Sequence, residues 1–193
     1  MKSFRMKKLW KAISLSLCGI LTAGIIAGCS SENTVDKTTL KFGVTNFADT
    51  LEPTQNYFGW VVMRYAIGEC LAKFDEKMNV QPWLAESWSI SDDHLTWTFK
   101  IRDNVKFSNG NLVTAEAVKK SIERAFTKNT RAKTFFEYTE MKADGQNLII
   151  TTSKPQPNMP GFLADPLFII VDVSAEKQGR DFAKEGPICT GPY

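Results

Sequence analysis

Histidine is nearly absent from this 193-residue sequence, with His94 its single instance. A Ser-His-Asp arrangement built from Ser87, Asp92 and His94 would rest on that one imidazole. No Gly-x-Ser-x-Gly, His-Glu-x-x-His or glycine-rich phosphate loop accompanies it, so a secreted hydrolase is the weakest class available. His94 itself belongs to Ser91-Asp92-Asp93-His94, a polar cluster that reads as a solvated turn. Cysteine is sparse as well, with four residues, no Cys-x-x-Cys and no Cys/His cluster, which argues against a zinc site. No catalytic residue, cofactor or metal ligand is expected. The chain lacks internal repeats, and its low-complexity sequence is confined to about residues 30–37.

Charge of one sign is concentrated at the start. The formal charge is +3, from 24 Lys and Arg against 21 Asp and Glu. Lys2, Arg5, Lys7, Lys8 and Lys11 precede a mostly apolar stretch at 12–26, which closes on Ile26-Ala27-Gly28-Cys29. This order resembles a bacterial lipoprotein signal, in which the cysteine thiol takes diacylglycerol and becomes the new N-terminus. About 15 apolar residues fall short of the ~20 needed to span hydrocarbon, which disfavours a transmembrane helix. Two acyl chains give stable anchoring where one is marginal. Residues 1–28 are therefore expected to be a signal peptide, Cys29 the lipidated residue, and 29–39 a flexible linker. Removing 1–28 deletes five basic residues and no acidic one, leaving −2. No basic stripe with interleaved aromatics survives, so nucleic acid is not an expected partner.

Residues 81–126 carry the clearest pattern. Trp88-Ser89-Ile90 reads as a short strand. Leu95, Trp97, Phe99 and Ile101 alternate with Thr96, Thr98 and Lys100, predicting a strand with one buried face. Phe107-Ser108-Asn109-Gly110 predicts a turn. Thr114 is placed to cap a helix, with Glu116 in its first turn. Ala115, Val118, Ile122, Ala125 and Phe126 share one face, and Lys119, Lys120, Glu123 and Arg124 are expected to cover the rest.

Taken in order, six elements of this block resemble the signature of the extracytoplasmic solute-binding proteins of peptide and nickel ABC transporters, family 5. They are Pro82-x-Leu84-Ala85-x-Ser87-Trp88, Ser91-x-Asp93, Thr96-Trp97-Thr98-Phe99, Ile101-Arg102-Asp103-x-Val105-Lys106-Phe107, Asn109-Gly110 and Thr114-Ala115-Glu116-x-Val118. No single element is specific, but the six in sequence are. The resemblance implies a mixed α/β fold, the type II periplasmic-binding-protein clamshell. It implies a non-enzymatic protein that captures peptides or a nickel chelate and works with an ABC permease and ATPase. Its place would be the extracytoplasmic face of the cell membrane, held by a lipid anchor. A peptide-sensing surface lipoprotein of the same fold is the alternative to transport.

Other segments fit a mixed strand and helix order. Residues 40–45 read as a first or edge strand and 60–71 as a helix. Residues 138–143 and 148–152 flank Asp144-Gly145-Gln146-Asn147, a hairpin signal. Residues 154–161 hold three prolines and read as a loop, and the apolar run 167–171 reads as a strand buried on both faces. The final Gly186-Pro187-Ile188-Cys189-Thr190-Gly191-Pro192-Tyr193 resembles the family's Gly-Thr-Gly-Pro-Tyr element, with Cys189 for its first glycine. Family members run well over twice this length, so the resemblance implies only the N-terminal part of the clamshell. On that reading 40–69 and 169–193 belong to an incomplete larger lobe and 70–168 to an inserted subdomain. One side of the cleft alone is expected to bind ligand weakly. Cys70 and Cys189 either pair as a disulfide or remain two free buried thiols.

The resemblance also suggests where ligand would sit. Leu51-Glu52-Pro53 resembles the family's Leu-x-Pro, which puts Asn56, Tyr57 and Trp60 at the cleft floor, unless the two aromatics are core residues. Tyr57 is the leading candidate, because a ring with a polar tip suits amphipathic ligands. Phe135 and Phe136 are further candidates. The nickel branch places an arginine before the proline of the 163–168 segment, where this chain has Asp165, which would repel carboxylates. Arg131 is placed to substitute. A peptide is the first-choice ligand and a nickel chelate the second.

Overall fold

The computed structural model describes Gly43 and residues 48–192. The expected signal peptide, Cys29, the linker and, apart from Gly43, the strand at 40–45 lie outside these residues. All the elements fall within the unit Asn46–Tyr193. In chain order they are α1 (Gly59–Arg64), β1 (Ala72–Phe74), β2 (Val80–Pro82), β3 (Ala85–Ile90), β4 (Thr96–Ile101), α2 (Ala115–Lys128) and α3 (Ala132–Phe135). There follow β5 (Glu140–Asp144), β6 (Asn147–Thr151), α4 (Met159–Phe162), a 3-10 turn (Pro166–Phe168), α5 (Val173–Lys177) and α6 (Phe182–Glu185).

An antiparallel sheet in the order β3-β4-β6-β5 forms the centre, and β1 and β2 make a separate antiparallel hairpin. The period-2 reading of β4 holds, with Trp97, Phe99 and Ile101 buried and the residues between them half-buried. The β5–β6 register pairs Asp144 with Asn147, so Gly145 and Gln146 form the turn, and Gly145 takes a φ of +56°. The Gln146 side chain then reaches the start of α2. It accepts from the Ala115 amide at 3.3 Å and donates to the Val113 carbonyl at 3.2 Å. Thr114 caps the same helix, its hydroxyl accepting from the Ala117 amide at 3.1 Å. The Val118, Ile122 and Ala125 face of α2 closes over Phe99, Leu148 and Ile150 in one buried cluster. A second cluster gathers Val62, Cys70, Ile169, Val171, Ala175, Phe182 and Cys189.

The structure corrects several expectations. α1 ends at Arg64 and does not run to residue 71, because Ala66 takes a positive φ of 55°. Gly68 then leaves no room for a side chain, since a Cβ there would lie 2.6 Å from Ile169. The run 167–171 is not a strand. Asp165 accepts from the Leu167 amide at 2.9 Å and Pro166 sets the local φ, which starts a 3-10 turn. Ile169, Ile170 and Val171 are extended and buried, but they meet Ser121, Glu69 and again Ser121 one bond at a time. Arg124, expected on the solvent face, is buried.

Cys70 and Cys189 are free thiols, both buried in the second cluster, so the pairing alternative is not what the structure shows. The Cys70 thiol donates to the Asp165 carbonyl at 3.4 Å. Burial raises the Cys70 pKa well above the ordinary thiol value and pushes that of Cys189 up to about 12.

Candidate functional site

Two loops meet at the C-terminal end of α2. The first, residues 51–58, is a series of turns with Asn56 at a φ of +49°. Glu52 organises it, its Oε1 accepting from the Thr54 amide at 3.0 Å and from the Thr54 hydroxyl at 2.5 Å. The second loop leaves α2 at Asn129. Its Nδ2 donates to the Thr54 carbonyl at 2.8 Å, and its Oδ1 accepts from the Arg131 amide at 2.9 Å. One side chain thus clamps the two loops together.

Arg124 anchors the first loop from below. Its guanidinium donates to Glu52 at 2.6 and 2.9 Å, and to Glu176 on α5 at 2.6 Å. It also lies 4.8 Å from the Phe182 ring centre. Burial opposes the Glu52 charge, yet hydrogen bonds from Arg124 and Thr54 hold its carboxyl below the ordinary value. Hydrogen bonding from Arg124 holds Glu176 at about 2 despite partial burial. Burial likewise works against the Arg124 charge, but its bonds to both glutamates raise its pKa further. Sequence periodicity contained a signal for this residue: 118, 121 and 124 are spaced by three, at the margin of the buried face.

Between the loops lies a concave opening of about 440 Å³, lined by Thr54, Gln55, Asn56, Tyr57, Lys128, Asn129, Thr130 and Arg131. Its volume lies in the range of small-molecule sites. The Arg131 guanidinium carbon is 5.2 Å from the Tyr57 ring centre and 5.2 Å from that of Phe135. Its Nη2 meets Asp165 Oδ1 at 3.2 Å, and its Nε is buried without a hydrogen-bond partner. Asp165 is therefore not a lone negative charge that repels carboxylates, because Arg131 offsets it.

The structure brings Asn56, Tyr57, Arg131, Phe135 and Asp165 into one neighbourhood. Tyr57 is 67% exposed and Trp60 50% exposed, so neither is a core residue, and Trp60 does not line the opening. Phe136 is buried and stacks 6.5 Å from Phe162, with Phe168 at 5.6 Å. Its role is packing under the site. His94 is exposed at a φ of +59°, as a turn residue. Asn129 was missed by sequence reasoning, although an asparagine just past a helix end is a recognisable capping position. Among the described residues no cluster of three or more His, Cys, Asp or Glu side chains is arranged to hold a metal ion.

Comparison with known proteins places this geometry in context. Residues 79–193 match the model of the bacterial extracellular solute-binding proteins, family 5 middle region. The nickel-binding protein NikA of Staphylococcus aureus is 28% identical over 169 residues, which are 88% of this chain and 33% of that protein. The glutathione-binding protein GsiB of Escherichia coli is 33% identical over 124 residues, 62% of this chain and 24% of that protein. The crystal structure of a nickel ABC transporter protein from Bacillus halodurans superimposes with a TM-score of 0.67 at 38% identity. It covers 75% of this chain and 29% of the other. The chain thus spans about a third or less of the length of these relatives.

Proposed function

Since the chain belongs to the bacterial extracellular solute-binding proteins of family 5, we propose that it captures peptides, or second a nickel chelate, outside the cell for an ABC importer. Its partners on this reading are a membrane permease and an ATPase, and Cys29 carries the lipid that holds it at the extracytoplasmic face. The observation that supports a ligand site most directly is Arg131. It lies within 5.2 Å of two aromatic ring centres at the mouth of a 440 Å³ opening, with an unpartnered buried Nε. Aromatic walls with few polar groups are the usual make-up of a small-molecule site. GsiB is named for glutathione, itself a peptide, and NikA for nickel, so both ligand classes occur among the relatives.

Two cores support the expected division into lobe and subdomain. The larger lies almost wholly within 71–168, and the smaller joins Val62 and Cys70 to residues 169–189. One side of a cleft supplies part of the ligand contacts, so binding in the millimolar range is expected. The test follows Trp60, half-exposed beside the site, by its emission during titration with trialanine and with a nickel–histidine chelate. A saturable change that Arg131→Ala weakens about tenfold is expected, from the loss of a charge-assisted hydrogen bond. An unchanged response in that variant would remove Arg131 from the site.

A further inference from the structure

Arg131 and Asp165 meet at a single point. The Nη2–Oδ1 distance of 3.2 Å is longer than the roughly 2.7–2.9 Å of a tight charged hydrogen bond. A guanidinium has five N–H donors, and among the described residues only Asp165 accepts from this one. Its Nε is buried with no partner. Asp165 Oδ1 also accepts from the Leu167 amide at 2.9 Å, whereas Oδ2 receives no hydrogen bond from a described residue. The Tyr57 and Phe135 rings, each centred 5.2 Å from the guanidinium carbon, approach through cation–π contact and use none of its N–H donors. Tyr57 is mostly exposed, so its ring can move without opening the core.

A cation with unused donors beside an anion with an unused acceptor is the mirror of one chemical group. That group is a free α-amino-acid head, whose carboxylate and ammonium share a single carbon. We propose that the Arg131–Asp165 pair is the receptor for such a head group. The ligand carboxylate accepts from the guanidinium as the Tyr57 ring gives way, and its ammonium donates to Asp165 Oδ2. Its side chain lies against Tyr57 and Phe135. The inference rests on the reading of this opening as the ligand site. Its electrostatic logic is simple: the pair has no net charge, so a lone carboxylate is attracted by Arg131 and repelled by Asp165, and a lone cation the reverse. A zwitterion gains from both. The amine of an amino acid that chelates nickel is bound to the metal and uncharged, so a chelate gains less.

The test uses the full chain, labelled with nitrogen-15, and three probes: L-leucine, N-acetyl-L-leucine and L-leucinamide. The Arg131 Nε–H signal, assigned by its loss in Arg131→Lys, and the Tyr57 ring signals are followed at millimolar probe. Free leucine is expected to shift both saturably, at a concentration about tenfold or more below either blocked form. Asp165→Asn, which keeps an acceptor for the Leu167 amide, is expected to abolish the preference for leucine over N-acetyl-leucine. Should that variant unfold, the three-probe comparison on the wild type decides alone. Equal shifts from leucine and a blocked form overturn the inference. A response to trialanine without one to leucine also overturns it, and the site reading stands. Silence toward leucine, trialanine and the nickel–histidine chelate together removes both.

Discussion

Arg124 shows how one side chain sets the geometry of a site it does not touch. It is 4% exposed, and it holds Glu52 in the loop that carries Asn56 and Tyr57. Breaking a buried ion pair from one side costs more than the pair contributes, because the partner charges remain. Arg124→Met is therefore expected to lower unfolding free energy by about 3 kcal/mol, read from urea denaturation at neutral pH. The pH dependence follows from the same bonds. Glu52 and Glu176 both titrate below the ordinary 4.5 in the folded chain, Glu176 at about 2. A depressed carboxylate contributes stability that is complete above its unfolded value and is lost as pH falls through its folded value. The urea midpoint should thus decline between about pH 5 and pH 2, and less steeply in Arg124→Met. A slope that the variant leaves unchanged would separate the acid response from this network. The two internal thiols make a second prediction. Burial raises the pKa of both Cys70 and Cys189, and the thiolate is the reactive form. Alkylation mapped by mass should leave both unlabelled in the folded chain and label both in denaturant without reductant. Failure to label after unfolding would mean that they are joined.

At the scale of elements, close backbone approach decides where segments dock. The segment ending in Gly191 lies against the turn after α1, where the Gly191 amide donates to the Ile67 carbonyl at 3.0 Å. Thr190 donates to Glu69 at 2.5 Å, and the Cys189 carbonyl accepts from the Ser108 amide at 2.8 Å. A Cβ at position 191 would meet the Ala66 carbonyl oxygen, a backbone atom that cannot rotate away. Gly191→Ala is expected to cost about 2–3 kcal/mol, in the range of overpacking. Gly161→Ala is the control: its Cβ finds only Phe74 and Val80 at 3.7 Å, ordinary contact, so its urea midpoint should barely move. Similar losses from both would show that the tail is not held by this contact. The 3-10 turn illustrates the same scale. Asp165 starts it, donates order to Leu167, and offers its remaining oxygen lone pairs at the site.

For the whole molecule, the family assignment and the location are separate questions. Membership rests on residues 79–193. Anchoring rests on Cys29 and the residues before it, which lie outside the described structure. Cys29→Ala is expected to move the protein from the membrane fraction to the medium or leave it unprocessed. Labelled lipid should enter the wild type alone. Wild-type protein that never incorporates lipid would sink the anchor and leave the solute-binding reading intact.

The signature block was legible from sequence because its interactions are local. Alternation in β4, the Thr114 cap, the Asp144-to-Asn147 turn and the apolar face of α2 each follow from spacing within one segment. Asn56, Tyr57, Arg131, Phe135 and Asp165 came to mind through the family pattern, as separate points along the chain. That they converge was decided by Asn129 and Arg124, whose partners lie 75 and 72 residues away. Arg124 resembles any charged helix residue until Glu52 and Glu176 are brought against it. The run 167–171 looked like a strand because apolar residues signal burial, not hydrogen-bond geometry. Whether an apolar segment pairs in a ladder depends on which backbone groups stand beside it. Here Asp165 and Pro166 turned the chain, and Ser121 and Glu69 took the bonds that a neighbouring strand would have made. Local periodicity is written in sequence, whereas the company a buried polar group keeps is a property of the folded chain alone.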